Sequence, residues 1–296
     1  MANHEVELLF TSPPMVPSPL VTSHLRAFLV FGTSEKVGKT VMSTHLLNAA
    51  RTFRPKESAS YVKLFSMNRD DDHLQQYAPG VDNALFHHAK HHYGPLPTVN
   101  DFKKNKVYTD NDIFHEIQKY ASCRDNKPGW LLIEMTGGAH SPTPTGTSQA
   151  DAFAELKVPV ILVGEATIDG VSHTKSAFES LRVRSYAVAA VLLFRVSSHN
   201  SQDHCHMSLV SFFQRYRIPV YMFDRPPSRS LISSRDRKNM AAYYEHVLWN
   251  GVAGKVLMEL ESLFSRRSGM GASSASYDSL SSSALASSWP LPTAGH

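Results

Sequence analysis

The run GTSEKVGKT, residues 32–40, sets Gly38, Lys39 and Thr40 directly before an apolar helical pattern. Such a run does one kind of chemistry well: it holds phosphate. Successive backbone N–H groups and a helix N-terminus form a positive concavity. Gly38 lets the backbone approach the anion closely. Lys39 is placed to bridge the β- and γ-phosphates of ATP, and the Thr40 hydroxyl to reach Mg²⁺. The nucleotide-binding set is therefore Gly32, Glu35, Lys36, Val37, Gly38, Lys39 and Thr40. Five residues separate Gly32 from Gly38, where the usual loop has four. The bland alternative is a chance Gly-Lys-Thr at a helix start.

Carboxylates at two further places could complete a metal site. Glu134 ends an apolar run just before Gly137–Gly138, and Asp70, Asp71 and Asp72 follow another. Magnesium on nucleotide phosphates takes one or two carboxylates, with phosphate oxygens and water. The competing readings are a solvated turn for the aspartates and a surface carboxylate for Glu134. Lys63 lies among apolar neighbours in SYVKLFS. It could meet an anion, or be an edge lysine that snorkels.

These residues need rigid elements behind them. LRAFLVF (25–31) reads as a buried strand and residues 39–50 as a helix, the context a phosphate loop requires. SYVKLFS (60–66), WLLIEM (130–135), VPVILVG (158–164), YAVAAVLLF (186–194) and IPVYMF (218–223) read as further strands, with Gly137–Gly138 as a turn. Helices are expected near 83–92 and over 111–123, 171–183, 207–216 and 238–263. Apolar strands alternating with helices imply a doubly wound, mainly parallel α/β sheet of the P-loop type. Ligands of such sheets sit at the carboxyl ends of the strands, and the polar residues named above follow strand ends.

The chain has 296 residues, 42% of them hydrophobic, a formal charge of +4 and a pI near 9.0. Basic residues are scattered, so no nucleic-acid arm is expected, and no apolar run approaches the ~20 residues of a membrane span. Two cysteines, Cys123 and Cys205, suit a reducing interior. Residues 1–24 read as a loose, Pro-rich lead-in without the Arg-rich character of a transit peptide, which points to the cytoplasm. Residues 25–263 form the expected domain, and the Ser-rich stretch 264–296 reads as a disordered tail. His87, His88, His91 and His92 have helical spacing that could share a metal, but no nearby Cys, Asp or Glu completes a set, so they read as a solvated helix face and are given no role. His204-Cys205-His206 is too tight for tetrahedral ligation and reads as a loop.

The stretches GTSEKVGKT, RDDDHLQQYAPGV and, above all, IEMTGGAHSPTPTGTSQADAFAELKVPVILVG carry a resemblance. Over roughly residues 25–247 the chain resembles dethiobiotin synthetase, in particular the synthetase half of the fused eukaryotic, fungal-like enzymes. The off-register loop glycine is a trait of that family. The resemblance implies a P-loop homodimer that uses ATP, Mg²⁺ and CO₂ to close a ureido ring on 7,8-diaminopelargonate. It implies catalytic roles for Lys39 and Lys63, metal ligation by Thr40, Asp71 (or Asp70) and Glu134, and substrate contacts at Lys63, Ser66, Gly137 and Gly138. It also implies a mitochondrial setting, against the N-terminus. The chain departs from the family at Glu35, where a threonine is usual, and at Met67, where a hydroxyl residue is usual. Those departures keep a second reading open, a catalytically impaired relative that binds nucleotide or a partner. A partitioning-type ATPase is a third, and the segment at 133–151 speaks against it.

Overall fold

The computed structural model describes residues 20, 24–64, 70–85, 109–124, 127–195, 201–228 and 233–267, with the backbone alone described at 70–72, 83–85, 201–203, 233 and 265–267. The elements in chain order are β1 (Leu25–Gly32), α1 (Lys39–Phe53), β2 (Ser58–Lys63), α2 (Asp70–Tyr77), β3 (Asp82–Leu85), α3 (Asp110–Ser122), β4 (Gly129–Gly138), α4 (Gln149–Ala152), β5 (Val160–Glu165), α5 (Ile168–Val183), β6 (Val188–Phe194), α6 (Ser201–Gln214), β7 (Val220–Phe223), α7 (Ser233–Trp249) and α8 (Val252–Arg267). Seven strands form one sheet in the order β3-β2-β4-β1-β5-β6-β7, and every pairing is parallel.

Side chains alternate across each strand, so one sheet has two cores. Leu29, Phe31, Ile133, Leu162 and Leu193 face Ile117 of α3, Phe178 and Leu181 of α5, and Phe213 of α6. Phe28, Val30, Leu132, Val163 and Leu192 face Met42 and Leu47 of α1, Val247 of α7, and Leu257 and Leu260 of α8. The expected doubly wound α/β architecture of the P-loop type is the one observed. No described helix is long and apolar enough to cross a membrane.

Several local expectations change. The helix foreseen near 83–92 gives way to β3 at its start, which pairs with β2 at the sheet edge. Four residues are too few to show a period, and Arg124 fixes the strand by ion pairing with Asp82. The rest of that stretch, with His87, His88, His91 and His92, lies outside the described residues. The Gly137–Gly138 turn is instead the end of β4, which runs on through both glycines. His204-Cys205-His206 are helical, because α6 begins at Ser201. Consecutive helical side chains point about 100° apart, which also rules out convergence on one ion. The single helix over 238–263 is two, α7 and α8, broken at Gly251 with φ 80°. Glycine accepts that left-handed conformation without steric cost. At the ends, Leu20 of the lead-in is buried in the core, and α8 continues past residue 263 to Arg267.

Candidate active site

Phosphate-loop geometry begins at Gly38. Its φ of 93° is left-handed, and a Cβ there would lie 2.5 Å from Phe194 Cε2. Glycine is therefore required twice over, by conformation and by space. Gly38 caps α1 with no side-chain hydrogen bond, and the first turn of α1 holds no acidic residue. The positive end of the α1 dipole thus meets no acidic side chain of its own first turn and suits an anion. Lys39 is buried, and its Nζ donates to the carbonyl oxygens of Ser34 and Glu35 at 3.0 Å each. The extra loop residue has a physical outlet: Ser34, Glu35 and Lys36 are exposed while Val37 plugs into the core behind them. Lys39 therefore meets the carbonyl of Glu35 rather than its carboxylate.

Beside the loop lies a compact polar cluster centred on Glu134. Parallel pairing sets Lys63 of β2 opposite Glu134 of β4. Both side chains point to the α1 face, where Thr40 and Ser43 await them. Glu134 is fully buried. Its Oε1 accepts from Thr40 Oγ1 at 2.7 Å and from Lys63 Nζ at 3.0 Å. Its Oε2 accepts from Tyr61 OH at 2.9 Å and from Ser43 Oγ at 3.0 Å. Lys63 Nζ also reaches Thr40 Oγ1 at 3.3 Å. Burial alone pushes the Glu134 carboxyl up. The Lys63 ammonium, the Thr40 and Lys63 hydrogen bonds and the charge of Lys39 overcome that, and hold it below the usual carboxylate range. An ionised carboxylate stands in a dry site because four donors surround it.

The chain after Glu134 is tied down by its own side chains. Gly137 has φ 76°, and a Cβ there would lie 2.1 Å from Ser141 Oγ. That hydroxyl accepts from the Gly138 N–H at 2.9 Å. Buried Gln149 clamps both sides of Thr136: its Nε2 donates to the Thr136 carbonyl at 2.8 Å, and its Oε1 accepts from the Thr136 N–H at 3.0 Å. Gly138 pairs with Gly32 across β1, so this loop adjoins the phosphate loop.

The family described as an AAA domain matches residues 26–221. Over 233 residues the chain is 32% identical to the bifunctional dethiobiotin synthetase/adenosylmethionine-8-amino-7-oxononanoate aminotransferase of Emericella nidulans, an alignment covering 75% of this chain and 29% of that protein. It is 27% identical over 219 residues to the ATP-dependent dethiobiotin synthetase BioD of Caulobacter sp. strain K31, covering 68% of this chain and 89% of that one. The chain belongs to the dethiobiotin synthetase family. A third relative, the mitochondrial bifunctional dethiobiotin synthetase/7,8-diamino-pelargonic acid aminotransferase of Arabidopsis thaliana, is 36% identical over 142 residues, or 44% of this chain and 16% of that one. The chain spans less than a third of the length of these fused relatives and most of the bacterial one.

Dethiobiotin synthetase family membership gives the polar cluster a context. Thr40 Oγ1 and Glu134 Oε1 form an all-oxygen pair on the phosphate side of α1, which fits a hard cation shared with a nucleotide. Among the described residues no group of three or more His, Cys, Asp or Glu side chains could hold a metal without such help. Asp71 falls in the first turn of α2, with its backbone alone described, and Ser66 and Met67 lie outside the described residues. Tyr61, Ser43 and Gln149 belong to no phosphate-loop motif. Two of them had a readable signal. Tyr61 precedes Lys63 by two and shares its strand face; Ser43 follows Lys39 by four and shares its helix face.

Proposed function

We propose that this chain binds ATP with Mg²⁺ and closes the ureido ring of dethiobiotin from 7,8-diaminopelargonate and CO₂. The observation that carries the reading is the Lys63–Glu134–Thr40 cluster, with Glu134 fully buried and Thr40 next in the chain to Lys39. On this reading Lys39 leaves the Ser34 and Glu35 carbonyls for the β- and γ-phosphates of ATP. One amine of the substrate adds CO₂ to give a carbamate and a proton. Lys63 turns from Glu134 to the carbamate and the γ-phosphoryl group, neutralising both anions as they approach. The carbamate oxygen takes the phosphoryl group and ADP departs. The second amine then attacks the carbamate carbon and expels phosphate, which closes the ring. Magnesium, when bound by Thr40, Glu134 and the α2 aspartates around Asp71, neutralises charge on the phosphates. Glu134 stays ionised throughout, and the Gly137–Gly138 backbone lines the substrate side. Positioning and fixed charge do most of the work in phosphoryl transfer.

The same reading extends to a homodimer, checked by the mass of the purified protein in solution. The activity is tested with purified protein, diaminopelargonate, ATP, Mg²⁺ and labelled bicarbonate. Labelled dethiobiotin formed by the native chain and lost in Lys39→Ala is the expected result. Nucleotide binding without product would instead favour the impaired-relative reading, with Met67 as the first residue to restore to threonine.

A further inference from the structure

Glu134 carries about four lone-pair positions on its two oxygens, and the four donors around it divide evenly. On Oε1 sit Thr40 and Lys63; the proposed function turns Lys63 to the carbamate and the Thr40 hydroxyl to the cation it would share with Glu134. On Oε2 sit Tyr61 OH at 2.9 Å and Ser43 Oγ at 3.0 Å. Neither of these can leave easily. Both residues are fully buried, Tyr61 on the β2 strand and Ser43 inside α1. The two elements are packed from opposite sides of Glu134, β2 by pairing with β4 and α1 by covering the sheet. One oxygen is exchangeable, and the other is held.

This asymmetry has a consequence for metal choice. A carboxylate can bind a cation through one oxygen or through both. Magnesium takes octahedral geometry with short, single-oxygen contacts; calcium is larger, takes six to eight oxygens and accepts bidentate carboxylates. We propose that Tyr61 and Ser43 are positioning residues that hold Glu134 as a one-oxygen ligand through Oε1, and so set the preference of the nucleotide site for a small octahedral cation over a larger one. Both hydroxyls donate to Glu134 Oε2. Each acts through Glu134, as outer partners of metal ligands do.

The inference rests on the proposed Mg²⁺–nucleotide site, and the experiment separates the two. A non-hydrolysable ATP analogue is titrated into the full chain by calorimetry with no divalent ion, with MgCl₂ and with CaCl₂. The quantity read is the ratio of the Mg²⁺ enhancement of affinity to the Ca²⁺ enhancement. Native protein should favour Mg²⁺. Tyr61→Phe keeps the ring in the core and removes one hydroxyl; it should lower the ratio about tenfold, the lower end of what outer-partner losses do to metal affinity. Ser43→Ala should lower it in the same direction, and the double variant further. A role in packing alone would lower the melting temperature and leave the ratio unchanged. An unchanged ratio in a folded Tyr61→Phe chain overturns the inference while leaving the nucleotide site intact. If that variant does not fold, an unchanged ratio in Ser43→Ala overturns it equally. Native protein that binds the analogue with no preference between the ions also overturns it. Native protein that does not bind the analogue at all removes the nucleotide site itself, and the inference with it.

Discussion

His45 sits six residues past Lys39 in α1, on the face covered by α7 and β7. It is 1% exposed, and its Nε2 is a buried polar atom with no hydrogen-bond partner among the described residues. Its ring meets Tyr244 at 4.6 Å, Tyr243 at 5.0 Å and Phe223 at 5.7 Å between centroids. Burial, with a smaller contribution from nearby His73, lowers its pKa from 6.5 to about 3. The unfolded chain therefore takes a proton near pH 6.5 that the native chain refuses until about pH 3. Above pH 6.5 His45 is neutral in both states and adds no pH dependence. Below it, native stability falls by about 1.4 kcal/mol per pH unit from this group alone. Between pH 7 and pH 5 the loss comes to roughly 2 kcal/mol, a sizeable part of the ~5–15 kcal/mol that holds a domain together. Tyr243 and Tyr244 have pKa values raised by burial and stay neutral throughout. His45→Leu removes the group and keeps an apolar filling. The assay is urea unfolding of both chains at pH 7 and pH 5. Every other titration is common to the pair, so the native chain should lose roughly 2 kcal/mol more than the variant. Equal losses would refute the reasoning, because they require a native His45 that accepts protons normally.

Two further perturbations follow from the site. Lys63→Met leaves Glu134 buried without its cation, at a cost of about 3–5 kcal/mol; the native chain, with Glu134 depressed, loses stability as pH falls through 4, whereas the variant, with Glu134 raised, should gain it, and urea midpoints at pH 4 and 7 read the reversal. Gly38→Ala forces a left-handed alanine against Phe194 and should cost about 2–4 kcal/mol; adding Phe194→Leu should return only the contact part, which thermal melts would show.

Much of the site was legible in sequence because its residues obey local rules. Lys39 and Thr40 follow a strand and a glycine, and a phosphate loop needs no distant partner to be recognised. Glu134 and Lys63 were readable as polar residues within apolar strands, but their meeting was not. It depends on β4 lying between β1 and β2, with Lys63 in register with Glu134. Strand order is a property of the whole sheet, and no window of a few residues encodes it. The edge strand β3 was lost for a related reason: it is strand through pairing with β2, not through its own pattern. Gly137–Gly138 misled in the other direction. Paired glycines read as a turn, yet here they let β4 continue while Ser141 packs where a side chain would stand.

Whether the chain turns substrate over or only binds nucleotide can be argued from what the cluster costs the fold. Replacing a buried ion pair by apolar side chains of similar size often stabilises a protein by about 1–4 kcal/mol. On the same face of the sheet Leu132 of β4 and Val30 of β1 are buried in an apolar core, so apolar residues would be at home there. Departures from good packing collect where function needs them. On the proposed function, nucleotide binding would explain part of the cluster, with Lys39 on the phosphates and Thr40 and Glu134 on the cation. It does not explain Lys63. That ammonium lies 3.0 Å from Glu134 and 3.3 Å from Thr40, a second buried cation beside a loop that already has one. A chain with no use for the pair would be more stable with apolar side chains at both positions. A chain that brings a second anion against the γ-phosphate needs a charge in that place, and this residue can supply it.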